Sequence, residues 1–338
     1  MATIKDVAKR AGVSIGSVSA VINNRAVTSP ELRTRVLAAI EELGYSPHGG
    51  ARSLKMGRSK SMGLLVPDII NPHFAALASA IEKASERSGY TLSFGNTLGD
   101  VDKEARNLEL FRRQRVDGLI LDLVGTTPEY MQHILATIHV PAVLIDRRAD
   151  GLPFDSVLLD NYGAGRAVTE YLIRSGHRKI AILIGQLDYS TAVERLQGYL
   201  DTLAENGIAR DDRMILQGLF DIEPARSATA DMLASGVRPT AIFCINNQMT
   251  IGVMLALAEQ GFRCPQDISV AGIDDLPTAA AFSPRLTVAI QPTVEIGEKA
   301  VALLLARLDG TAPPEPVQLI CEPRLIVRDS CRVLEPVS

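Results

Sequence analysis

Residues 4–22 read IKDVAKRAGVSIGSVSAVI, two apolar helical stripes separated by a glycine. Ile4, Val7, Ala8 and Ala11 recur at helical spacing, and Gly12 follows where a helix end takes positive φ most easily. Ser14 then opens a second helix carrying Ile15, Val18, Val21 and Ile22. The spacing Ala8, Gly12, Val18 is that of a helix-turn-helix: a small residue where the helices cross, a glycine in the tight turn, an apolar plug on the second helix. A third helix is expected with Thr28 as N-cap, Pro30 in its first turn and Glu31 completing a capping box. Val27 and Leu32 would staple its start, and Leu32, Val36, Leu37, Ile40 and Leu43 would form its buried stripe, closed by Gly44.

Charge separates this head from the rest. Residues 1–60 hold ten Lys/Arg against four acids, a net +6, whereas the 338-residue chain carries −4, leaving −10 on the remainder. A basic head on an acidic body points to a polyanionic partner for the head alone. The N-terminus lacks the apolar core of a signal peptide, and no apolar run is long enough to span a membrane, so a cytoplasmic protein is expected. Cys244, Cys264, Cys321 and Cys331 are scattered and form no CxxC pair. With His48, His73, His133, His139 and His177 they make no metal-ligand spacing, so neither metal nor cofactor is expected.

From Ser61 onward apolar strands alternate with amphipathic helices, the pattern of doubly wound α/β architecture. Strands are expected over Met62–Pro67, Thr91–Asn96, Gly118–Leu123, Ala142–Asp146, Val157–Asp160, Lys179–Gly185, Met214–Gly218, Ala241–Asn246, Ile268–Ile273 and Thr287–Ile290. That exceeds one compact sheet, so two similar subdomains are expected. Polar residues collect where strands end: Asp68 and Asn71, Asp146 and Arg147, Asp160 and Asn161, Asn246 and Asn247, Asp274 and Asp275. In open α/β sheets ligands bind there, although each such acid could equally cap a helix. Gly163-Ala164-Gly165 lacks the rest of a dinucleotide fingerprint, and no P-loop or GxSxG setting is present, so no enzyme is expected.

Thr3-Ile4-Lys5-Asp6-Val7-Ala8, Ala11-Gly12-Val13-Ser14, Glu42-Leu43-Gly44-Tyr45-Ser46-Pro47 and Ala51-Arg52-Ser53-Leu54 together resemble the LacI/GalR family of bacterial transcription regulators. The body adds Val116-Asp117-Gly118-Leu119-Ile120, Gly176-His177-Arg178-Lys179-Ile180-Ala181 and Ile268-Ser269-Val270-Ala271-Gly272-Ile273-Asp274-Asp275, so the resemblance runs along essentially the whole chain. It implies a helix-turn-helix head (1–46), a hinge helix (47–60) and a periplasmic-binding-protein-like core (61–338). The core would divide into an N-subdomain, about 61–160 and 291–322, and a C-subdomain, about 161–290 and 323–338. It further implies a homodimer on double-stranded DNA with a pseudo-palindromic operator. The DNA-contacting set would be Thr3, Ser14, Ile15, Gly16, Ser17, Ala20, Asn23, Asn24, Arg25 and Tyr45, with Ala51, Arg52, Leu54 and Lys55 in the hinge, Leu54 wedging into the minor groove. The second helix offers no Arg or Gln at its centre, so thymine methyls, Ser17, backbone contacts and DNA shape would carry its readout.

The small-molecule effector set implied is His73, Phe74, Asp146, Arg147, Thr191, Arg195, Phe220, Asn246, Asp274 and Gln291. Carboxylates accepting from hydroxyls, Arg and Asn donating, and an aromatic wall suit a sugar, as for a repressor of sugar uptake or catabolism genes. A nucleoside or purine-like ligand is the alternative, weakened by Tyr189 where a nucleobase-binding relative carries arginine. Alternatively Arg195 and Asp274 would merely pair across the cleft. A solute-binding receptor without a DNA role is the rival of a different class, opposed by the basic head. Two further departures from the family pattern are Asn247, in place of an acid, and Gly50, in place of an apolar hinge residue. Inside a hinge helix Gly49 and Gly50 would together weaken it by about 2 kcal/mol.

Overall fold

The computed structural model describes residues 2–22, 28–45, 58–125, 127–276 and 283–334. They form two compact units, residues 1–60 and 61–338, described separately.

In the first unit Thr3 caps α1 (Ile4–Ala11) through a reciprocal box: the Thr3 hydroxyl accepts from the Asp6 amide, and the Thr3 amide donates to Asp6 Oδ2 at 2.8 Å. The Thr3 hydroxyl also donates to Asp6 Oδ2 at 2.7 Å, and this bond together with that from the Thr3 amide holds the exposed Asp6 carboxyl below its usual range. Gly12 ends α1 at φ +66°, the left-handed turn expected of it. α2 (Ile15–Ile22) starts at Ser14, whose Oγ accepts from the Ser17 amide at 3.1 Å. α3 (Pro30–Glu42) corrects the expected start: Ser29, not Thr28, is its N-cap, accepting from the Leu32 amide. Proline lacks an N–H and has φ preset for the first helical position, which fixes the cap one residue before Pro30. The head core is Val7, Ala8, Ala11, Val18, Val21, Val36 and Ala39. Leu37 is 47% exposed and Ala39 takes its expected place, because the α3 stripe runs through 32, 36, 39, 40 and 43. A residue directly after Val36 is turned about 100° away from it.

The second unit contains two six-stranded sheets. The first has order β11-β5-β4-β3-β1-β2, parallel throughout, built from β1 (Ser61–Val66), β2 (Thr91–Asn96), β3 (Gly118–Leu121), β4 (Ala142–Ile145), β5 (Asp155–Leu159) and β11 (Gln318–Cys321). The second has order β12-β10-β9-β8-β6-β7, from β6 (Ile180–Ile184), β7 (Ile215–Gln217), β8 (Ala241–Cys244), β9 (Ser269–Ile273), β10 (Thr287–Ile290) and β12 (Arg324–Ile326), the last antiparallel. Central strands such as β3, β4, β6 and β8 are buried end to end, as parallel strands covered by helices on both faces must be. Each of the ten expected strands is present, Thr91–Asn96 and Thr287–Ile290 with the expected ends and the other eight with shifted ones; the edge strands β11 and β12 are additional to them. The chain passes between sheets three times, after β5, after β10 and between β11 and β12. Because the strands within each sheet run parallel, apart from β12, their carboxyl ends lie along one edge.

Candidate functional site

The carboxyl ends of β1, β4, β8, β9 and β10 surround a cavity of about 200 Å³. All ten residues expected to meet an effector line it, together with Pro67, Asp68, Asn71, Asp221 and Gln248. It is smaller than the roughly 300–1,000 Å³ of drug-sized ligand pockets, a size for a single ring.

Three of its residues are held in left-handed backbone: Asp146 at φ +61°, Phe220 at +60° and Asp274 at +69°. Asp adopts this region at modest cost; for Phe it is a strained setting, of the kind that clusters at ligand sites. The Phe220 ring lies over Gly185, where an added Cβ would come within 1.9 Å of it, so the ring is seated against bare backbone at the end of β6.

The donors and acceptors are fixed by neighbours. Arg195 lies on the Ser190–Glu205 helix, whose approach to the Asn161–Arg174 helix is made possible by Gly165 and Gly198. Its Nε donates to Asn161 Oδ1 at 2.8 Å and its Nη1 to the Ile245 carbonyl at 2.6 Å. Arg195 is thus oriented by the sheet end rather than by Asp274. Asp274 Oδ1 instead accepts from Gln291 Nε2 at 2.8 Å and lies 3.5 Å from His73 Nδ1. His73, only 7% exposed, has Nε2 3.8 Å from Asp146. Arg147 donates from Nη1 to the Leu123 carbonyl at 3.1 Å and stacks over the Tyr189 ring, 3.8 Å from its centroid.

Some expected ligand groups also cap helices. Asn246 Oδ1 accepts from the Met249 amide, and its Nδ2 donates to the Phe220 carbonyl at 3.2 Å. Asn71 Oδ1 accepts from the His73 amide and from Asn247 Nδ2 at 2.8 Å, a bond between the helices that follow β1 and β8. Asn247, a departure from the family pattern, therefore bridges the cavity's two sides. Asp122, absent from the expected set, lies behind Arg147. Its strand ends at Leu121 and not at Leu123, so it is a strand-end acid that the longer expected strand concealed.

On the head, Ser14, Ile15 and Gly16 are exposed at the start of α2, while Ser17 and Ala20 are half-buried. The Ser17 and Ser14 hydroxyls lie 2.9 Å apart, so Ser17 is already engaged. Thr3 is exposed at its cap, and Tyr45 packs partly against the head core. Asn23, Asn24, Arg25, Ala51, Arg52, Leu54 and Lys55, with Leu32's expected staple partner Val27 and the hinge glycines, lie outside the described residues.

Residues 3–48 match the model of bacterial regulatory proteins, lacI family, and residues 59–320 that of periplasmic binding proteins and sugar binding domain of the LacI family. A curated relative, the HTH-type transcriptional repressor PurR of Escherichia coli O139:H28, is 39% identical over 98% of this chain and 97% of its own length. The structure resembles a lac repressor dimer bound to operator and the anti-inducer ONPF, with TM-score 0.86 and 29% identity over 98% of this chain and 99% of that one. It also resembles the regulator CelR in complex with cellobiose, with TM-score 0.73 and 31% identity over 98% of this chain and all of the other.

Proposed function

The chain belongs to the LacI family of bacterial regulatory proteins, and as a member of it we propose that it works as a cytoplasmic homodimer whose grip on a pseudo-palindromic operator is altered by a single-ring sugar. It is a DNA-binding transcriptional repressor with an effector-binding core, in a family of regulators rather than enzymes. The dimer and the operator take their support from the likeness to the lac repressor dimer. Cytoplasmic placement is supported by the repressor relatives. The DNA-contacting surface proposed is the exposed start of α2 with the flanking head and hinge residues named from the sequence.

The sugar reading rests on one observation. Asp146 and Asp274 supply carboxylates, Arg147, Arg195 and Gln291 supply donors, and Phe220 supplies an apolar wall, all around about 200 Å³. Vicinal hydroxyls, each donor and acceptor at once, match such a mixed lining on every side. The cap and backbone bonds of Asn246 and Arg195 fix these groups before any ligand arrives, which lowers the ordering cost of binding.

A second reading, a purine or nucleoside effector, is favoured by the full-length relatives named PurR, which support it better than they support a sugar. Thermal-shift screening of monosaccharides, nucleosides and purine bases discriminates the two, because a ligand that prefers the native state raises Tm. A monosaccharide that raises Tm and shifts affinity for a footprinted pseudo-palindrome supports the first reading. A response confined to purines transfers the assignment to the second. Binding to DNA that is salt-dependent and blind to sequence would sink the operator proposal.

A further inference from the structure

Behind the cavity wall, Asp122 has no exposed surface, and neither of its carboxylate oxygens has a hydrogen-bond partner. Its nearest cation is Arg147, with Nε 3.6 Å from Asp122 Oδ1. The same guanidinium is bonded to the carbonyl of Leu123, the next residue, and covered on one face by Tyr189. Arg147 is therefore gripped at its corner, its back and its face, while it still lines the cavity. The grip draws on both sheets: Asp122, Leu123 and Arg147 follow strands of the first, and Tyr189 follows β6 of the second.

A buried carboxylate without hydrogen bonds is costly, and such a group calls for a reason. Asp146 and Glu104 are the other charged groups around it, both of its own sign, so Arg147 is the only cation of that set. Burial pushes the Asp122 carboxyl well above the usual carboxylate range, while Arg147 draws it the other way. Closing the 3.6 Å contact to the roughly 2.8 Å of a charge-assisted hydrogen bond would give Oδ1 a partner.

We infer that Asp122 is a positioning residue, which orients Arg147 so that its free N–H edge meets an oxygen of the bound effector. With one face under Tyr189 and Nε toward Asp122, the guanidinium keeps edge N–H donors to offer a ligand. This rests on the cavity being the effector site.

The test is a double-mutant cycle on the full-length protein by titration calorimetry, with D-ribose as the single-ring sugar and adenine as the purine base. Asp122→Asn should weaken whichever probe the unaltered protein binds by about tenfold. In an Arg147→Met background the same change should have no further effect, because Asp122 acts only through Arg147. If Asp122→Asn does not fold, Asp122→Leu completes the cycle, since an apolar pair replaces a buried ion pair with least disturbance. Unchanged affinity in the Asp122 variant, or an equal loss with and without Arg147, would overturn the positioning role and leave the effector site standing. If the unaltered protein binds neither probe, the effector reading falls and the positioning role with it.

Discussion

Gly165 and the Arg195 backbone touch so closely that a Cβ added to Gly165 would lie 2.2 Å from the Arg195 carbonyl oxygen. The contact places the helix carrying Arg195 at the distance where its guanidinium reaches Asn161 and the Ile245 carbonyl. Gly165→Ala should thus act on stability and on the cavity together. Overpacking of this kind costs about 1–3 kcal/mol, and effector affinity should fall with it. Thermal unfolding and effector titration check this; a stable variant with unaltered affinity would count against the link.

Ile15 is 45% exposed at the start of α2 and lies outside the head core. Ile15→Ala should leave unfolding within about 0.5 kcal/mol of the unaltered protein. If Ile15 reads DNA, operator affinity should nevertheless drop several-fold while non-specific binding holds. Parallel melting curves and operator titrations separate the two effects, and equal operator affinity would remove Ile15 from the interface.

His177 is wholly buried, with Nε2 3.1 Å from the Arg332 carbonyl and Nδ1 3.0 Å from Thr240 Oγ1. Burial lowers its pKa, so the folded state favours the neutral ring. The unfolded chain therefore binds the proton more readily. His177 contributes stability that is present above the unfolded value of about 6.5 and is lost as pH falls below it. Between pH 7 and 5 the protein should lose stability with a slope of at most about 1.4 kcal/mol per pH unit from this residue. His177→Gln should flatten that slope in denaturant titrations; parallel curves would refute the assignment.

Gly49 and Gly50 lie outside the described residues, and the expectation for them is one of sequence alone. Replacing both with Ala should favour a hinge helix by about 2 kcal/mol, up to roughly a thirtyfold gain in operator affinity, and blunt the effector response. Operator titrations with and without effector decide it, unchanged affinity being the adverse result.

Fold class and family were legible because they are carried by repetition. The 4–22 stripes, the caps and the strand–helix alternation each recur often enough to survive an error of one residue. Single-residue register is where the sequence misled. Thr28 and Ser29 are both good caps, and only the constraint of Pro30 chooses between them. Leu37 reads as core by hydrophobicity and is outside by angle. The short edge strands β11 and β12, partly exposed, lack the continuous apolar run that marks a central strand. The cavity residues were named from strand ends and family likeness and do meet in one place, but Asp122 was hidden by a strand extended two residues too far. Effector identity was least legible, because the same carboxylates and guanidinia serve hydroxyls and ring nitrogens alike. The relatives named PurR lean away from the sugar that the side chains favour.

The late crossings between sheets bear on synthesis. Gln318–Cys321 closes one edge of the first sheet, and Arg324–Ile326, starting three residues later, closes one edge of the second. The first sheet is not complete until translation has passed Cys321, nor the second until it has passed Ile326, so both should mature almost together at the end of the polypeptide's emergence. Ribosome-bound chains arrested near residue 310 should be cut by protease in both halves, and protection of either would show that it matures alone. The head, local in sequence and complete by residue 45, is free of that wait: such a nascent chain would present a folded DNA-binding module before it holds a finished sensor.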